Sequence, residues 1–408
     1  MQTNRLQRLG VLTALYAAQG LPYGFFTQAL PSMLREMGVS LEIIGATAVL
    51  AAPWALKALW APFVERRAAL RTWALGLQAV TILGAVMLAL LNPEHDLMIL
   101  GAAVLLSNLV AATQDIATDG IAVATLAPEE RGWGNGLQVA GYRIGMIAGG
   151  SLLLVIYDVT GWSLTAAAMA LLLALTSLPL LLSDVGKDVQ TAAPSALSWT
   201  WLQLPGALPW VGVLVTFKLG DYLVQGMLRP WLVDAGRSLT DIAVLLGVGG
   251  FSAGLVGAIV GGALVGPLGR RRALVLFGVL QALSLGSYAL AAWTGSGIWA
   301  AVLSEHFLGG CATAAVFTAM MDACRSDRGA TDYTLQASIV VIASMGSAGF
   351  SGVLAAHLGF AGVFTLGAIL ALGAPLLAMV IPTPRTHLQR ERAWFDEVNG
   401  SKFSRTRS

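Results

Sequence analysis

The chain has 408 residues, 56% of them hydrophobic and 11% charged, with a formal net charge of +2. A soluble chain carries about 25% charged residues, enough here to cover the surfaces of two or three domains. Those polar residues are missing, which excludes a soluble enzyme or binding module and leaves an all-α protein that crosses a membrane many times.

Apolar runs of about 20 residues recur, each long enough to cross roughly 30 Å of hydrocarbon. They predict twelve spans, at 9–30, 41–64, 72–91, 97–119, 133–157, 161–183, 207–228, 240–266, 273–293, 297–323, 332–355 and 359–382. The basic start "MQTNRLQRLG" leads into an apolar run without a small-residue cleavage site, so it reads as a retained span. That first span, "YAAQGLPYGFFTQALP", offers Tyr16, Gln19 and Tyr23 beside Gly20 and Pro22, a loosened polar and aromatic helix suited to a cavity wall.

The second span carries Lys57 and ends at Glu65. The fourth contains "AATQDIATDGIA", where Asp115 and Asp119 lie one turn apart on a shared face. Their expected partners are Lys57 and Arg143 of the fifth span, Arg143 being a substrate-binding candidate as well, and carboxylates that part when a gate opens would make a bistable latch. A static network that fixes helix packing is the competing reading. In the seventh span, "KLGD" sets Lys218 and Asp221 at i, i+3. They either pair locally or present Lys218 to an anionic substrate group with Asp221 holding it. The tenth span places Glu305 beside His306 in its outer half, a candidate proton site, with Asp322 near its other end. A hydrogen-bonded pair at a helix contact is the alternative. Cys311 and Cys324 stand roughly 20 Å apart along that helix, too far for a disulfide.

Charged residues inside membranes face protein or a water-filled cavity. Here they fall on the second, fourth, fifth, seventh and tenth spans and spare the third, sixth, ninth and twelfth. With the N-terminus placed in the cytoplasm, eighteen of the 24 Lys and Arg residues lie in cytoplasmic segments and three in outer loops. The positive-inside rule then puts both termini in the cytoplasm.

A repeat at a constant offset of 198 joins "ALPSMLREMGVSLEIIGATAVL" (29–50) to "MLRPWLVDAGRSLTDIAVLLGV" (227–248). Gly38 aligns with Gly236, and Ser40 with Ser238, each serine placed to cap the next helix. The expected organisation is a six-helix bundle at 1–183, a cytoplasmic linker at 184–206, a second bundle at 207–382 and a cytoplasmic tail at 383–408.

The strings "PWALKALWAPFVER", "ATQDIATD", "PEERGWGNGLQVAGYRIGM" and "FKLGDYLVQGM" closely resemble the AmpG-like permeases of the major facilitator superfamily, which stand beside acetyl-coenzyme A transporters. The resemblance runs over roughly 15–345 and implies two six-helix halves in a bacterial inner membrane, driven by a proton gradient. It places the third, sixth, ninth and twelfth helices against lipid. "GPLGRRRAL" (266–274), with Arg270, is similar to the superfamily's motif between the eighth and ninth spans. Gly266 stands where an Asp is usual, which implies a weaker gate in the second half, whereas the first half has Glu65 at that place. "FFTQALPSMLREMG" looks like the RhtX/FptX subgroup, so the expected substrate is an iron-siderophore. The alternatives are an anhydro-muropeptide or a non-transporting sensor with a transporter fold. Expected partners are the solute, protons and the bilayer, with the chain acting as a monomer. Neither nucleic acid nor a cofactor is expected, and the chain has no HExxH or P-loop string.

Overall fold

The structure, a computed structural model, describes residues 4–38, 50–91, 97–187, 189 and 198–381. Ser40, the start of the second span, most of the linker and the tail at 383–408 lie outside the described residues. Besides a short 3-10 helix at Ser198–Gln203, the described residues form twelve helical segments: α1 (5–36), α2 (50–67), α3 (Leu70–Leu88), α4 (Leu97–Thr125), α5 (Arg131–Thr160) and α6 (Trp162–Leu181), then α7 (Ala207–Asp234), α8 (239–268), α9 (Arg270–Thr294), α10 (Ile298–Asp322), α11 (329–358) and α12 (360–380). Asn4 caps α1 through its side chain, which accepts the Leu6 N–H at 3.2 Å. α11 and α12 are parted only at Gly359, whose φ of +67° breaks the helix.

α1–α6 pack together as one half and α7–α12 as the other. α3, α6, α9 and α12 carry no ionisable residue beyond their first turns and pack within their own halves, as a lipid-facing position requires. The two halves repeat one another in bonding as well as in letters. Gly38 ends α1 at φ +82° and Gly236 ends α7 at φ +75°. Ser238 accepts the Asp241 N–H at 3.0 Å and Asp241 accepts the Ser238 N–H at 3.3 Å, a reciprocal cap. Arg71 at the start of α3 donates to the Leu180 carbonyl at the end of α6 at 2.6 Å and to the Val185 carbonyl just beyond that helix at 2.7 Å. Arg271 at the start of α9 likewise reaches the Ala378 carbonyl of α12 at 3.0 Å. A cation at a helix C-terminus satisfies orphan carbonyls and favours the dipole.

The regular ladder is interrupted where α1, α5 and α8 carry π-helical turns at Phe25–Ala29, Ala148–Leu152 and Ala243–Gly250. All three lie far from the arginine-rich loops. At the opposite, basic end the halves meet: α2, α4 and α5 pack against α8, α10 and α11. Glycines let α5 and α8 touch backbone to backbone. A Cβ on Gly262 would strike the Gly132 carbonyl and the Gly136 backbone, the close approach that small residues permit between membrane helices. One turn on, Gly266 has open space around it. Gly262→Ala should therefore cost about 1–3 kcal/mol through overpacking, while Gly266→Ala should be neutral. Thermal unfolding in detergent checks this: a lower midpoint for the first variant alone is expected.

Candidate functional site

The irregular α2 sets up the first charge cluster. Pro53 and Pro62 bracket the 3-10 stretch Lys57–Leu59, since Pro62 has no N–H to continue the α-ladder. Lys57 is thereby turned into the first half, where its ammonium pairs closely with Asp115 of α4, both side chains buried. Asp119 accepts the Tyr16 hydroxyl at 2.8 Å. Arg143 takes no part, contrary to the sequence expectation. It projects from α5 toward α8, its guanidinium 5.9 Å from the Phe251 ring. A second difference follows for the latch. Asp115 and Asp119 bond within one half, so their bonds do not cross the seam.

Two other carboxylates do cross it. Glu65, at the basic end of α2, accepts the backbone N–H groups of Ala330 at 3.0 Å and Thr331 at 3.2 Å, together with the Thr331 hydroxyl. These are the first residues of α11, so a buried carboxylate of one half caps a helix of the other. Asp322, ending α10, takes Arg131 of α5 at 2.7 Å and Arg270 of α9 at 2.9 Å. Arg270 also bonds the Pro128 carbonyl. Gly266 thus leaves no acid in the second-half motif, and Asp322 holds that motif's arginine instead. Above them Gln138 donates to the Tyr333 hydroxyl at 3.4 Å.

The second half holds its own polar cluster at mid-depth. Lys218 pairs with Asp221 at 2.6 Å, and Gln281 of α9 donates to the same oxygen at 3.3 Å. One turn further along α7, Gln225 donates to Glu305 at 3.2 Å. Glu305 also receives Tyr288 at 3.5 Å and lies 3.1 Å from the His306 ring. His306 Nδ1 is equally close to the Val302 carbonyl, 3.0 Å away. Glu305 and His306 are therefore joined, as their adjacency suggested, and Lys218 and Asp221 take the local pairing.

Of the first-span candidates, Tyr16 and Gln19 are buried, and among the described residues neither side-chain polar atom of Gln19 has a hydrogen-bond partner. Tyr23 packs edge-on to Trp54, with ring centroids 6.1 Å apart, and lies 5.7 Å from Tyr142. Sequence reasoning missed Gln225, Tyr288, Trp54 and Tyr142. Gln225 was visible as the residue seven beyond Lys218 on the same helical face. Tyr288, on a helix without mid-span charges, gave no such signal. The string GFSAG at 250–254 has the letters of a nucleophile elbow, but it runs through the helix of α8, whereas an elbow needs a strand-to-helix turn.

Twelve spans in two like halves, with charges on the inner helices and a seam shut at one end, define a multi-pass membrane transporter rather than an enzyme. Residues 12–344 match the Major Facilitator Superfamily, and the chain belongs to that family. It is 28% identical to the anhydromuropeptide permease of Escherichia coli over 82% of this chain and 72% of that one. A Rickettsia felis protein, a putative transporter of the AmpG type, is 24% identical over 92% of this chain and 96% of its own. Among solved structures, the Escherichia coli fucose:proton symporter superposes with a TM-score of 0.73, at 11% identity, over 91% of this chain and 97% of that one. A bacterial homologue of ferroportin in its outward-facing state gives 0.64, at 19% identity, over 92% and 98%.

The Lys57–Asp115 pair yields a test. Breaking a buried pair from one side costs about 3–5 kcal/mol, because the remaining charge is stranded. Lys57→Met and Asp115→Leu should each lower the thermal midpoint, and the double variant should recover most of the loss. Additive losses in that double-mutant cycle would contradict the pairing.

Proposed function

We propose that the chain is a secondary transporter of a bacterial inner membrane, acting as a monomer, that imports an anhydro-muropeptide with protons. The observation that carries the transport reading is the Glu65 capture of the α11 N-terminus. It is a bond between halves that must break for the basic end to open, and it leaves the mid-depth charges to be reached from the other side. The arginine-rich loops favour a cytoplasmic position for that end, hence an outward-facing arrangement. The superposition on an outward-facing relative of the same fold is consistent with it.

The substrate class comes from the relatives. The Escherichia coli protein matched over most of the chain is an anhydromuropeptide permease, whereas the siderophore reading rests on a few short strings. Anhydro-muropeptides combine a sugar face, which suits aromatic rings such as Tyr23, Trp54 and Tyr142, with peptide carboxylates, which suit cations. Glu305 and His306 are the proposed proton-coupling pair. They sit in the outer half of α10, joined to each other and linked through Gln225 to the α7 face that carries Lys218.

Thermal shift in detergent with an anhydro-muropeptide and an iron-loaded siderophore side by side tests the substrate, since a ligand that binds only the folded state raises its stability. Stabilisation by the muropeptide alone is expected, and stabilisation by the siderophore alone would reverse the assignment. Counterflow in proteoliposomes separates a carrier from a sensor. For coupling, Glu305→Gln should keep counterflow and lose accumulation driven by a pH gradient. If that variant still concentrates substrate when the lumen is alkaline, the coupling site lies elsewhere.

A further inference from the structure

Three cations lie inside the spans: Lys57, Arg143 and Lys218. Lys57 is held by Asp115 and Lys218 by Asp221. Arg143 differs from both. Among the described residues its guanidinium makes no hydrogen bond and no ion pair, and its contact is the 5.9 Å approach to the Phe251 ring. The two carboxylates whose charge reaches it, Glu305 and Asp221, are already bonded elsewhere. A guanidinium carries five N–H donors, and hydrocarbon offers them nothing.

The surroundings are built for it. A Cβ on Gly254 of α8 would overlap the guanidinium where it stands, so the two are in close contact across the halves. Phe251, one turn earlier on α8, packs near it as an aromatic ring does with a cation. Arg143 is half-buried, standing at mid-depth where α5 of one half faces α8 of the other. Its donors stand where the two halves face one another.

We infer that Arg143 is the docking point for a carboxylate of the transported solute, gripped by its planar fork of N–H donors. The inference rests on the anhydro-muropeptide reading and adds the group of that molecule that the protein reads. Because Arg143 projects from the first half against Phe251 and Gly254 of the second, a carboxylate bound there lies beside the contact between the halves. Arginine suits the role better than lysine, since its fork matches two carboxylate oxygens at once.

The test compares an anhydro-muramyl-peptide bearing free carboxylates with its fully amidated counterpart, by counterflow and by thermal shift. Wild type should prefer the acid form. Arg143→Gln should raise KM for that form by about ten- to a hundredfold, the worth of a hydrogen-bonded charge, while affecting the amide little. Arg143→Lys should recover part of the loss. A merely structural arginine would lower the unfolding midpoint when removed. An unpaired one should leave it unchanged or higher. Equal handling of acid and amide by wild type, or an unchanged KM in Arg143→Gln, overturns the inference and leaves the muropeptide reading standing. Binding of neither form by wild type overturns both.

Discussion

The contact on which the proposed closed state depends most is the one Glu65 makes across the two halves. Its carboxylate, buried at the end of α2, takes two N–H groups at the start of α11, where the helix dipole already favours negative charge. A cap of this kind usually joins a residue to its own helix. Here it joins two halves that the chain connects only through a linker. Other seam contacts lie beside it. Gln138 reaches Tyr333 of α11 on the same side, while α5 and α8 touch through their glycines.

The halves are related in sequence and in bonding, yet they close the seam by different chemistry. The first half offers an acid to a helix N-terminus. In the second, Gly266 leaves the corresponding place empty of acid, and Asp322 serves instead, drawing Arg270 and Arg131 together. One contact is a carboxylate against backbone donors. The other is a carboxylate between two guanidiniums near the water. Salt screens exposed charges more than buried hydrogen bonds, so the two sides of the seam differ in what weakens them. Deeper in, Lys57–Asp115 and Lys218–Asp221 each stay inside one half. They set the shape of a half and can travel with it unbroken.

Much of this was legible in the sequence. Span lengths gave the helices, because hydrocarbon thickness fixes how many apolar residues a crossing needs. The sorting of charges agreed with the inner and outer helices that the family resemblance implied, because lipid tolerates charge poorly. The Gly38 and Gly236 match survived as two left-handed helix ends. The pairings were less legible. Asp119 and Arg143 lie on adjacent helices, but face and depth decide contact, and Tyr16 was nearer to Asp119. Glu65 was noted as a motif residue, yet its partners are backbone N–H groups, which every residue has and no letter reveals. Gln225 and Tyr288 are neutral, and a search for intramembrane charge passes over them.

If Glu65 keeps the basic end shut, removing its carboxylate should let that end open. The most direct measurement is the electron–electron distance between spin labels at Ala69, beyond the end of α2, and Ser326, before α11, in a lipid nanodisc and a background with both native cysteines replaced. Both positions are exposed. The account predicts one dominant short distance with Glu65 intact and a second, longer population in Glu65→Ala. An unchanged single distance in that variant would contradict it.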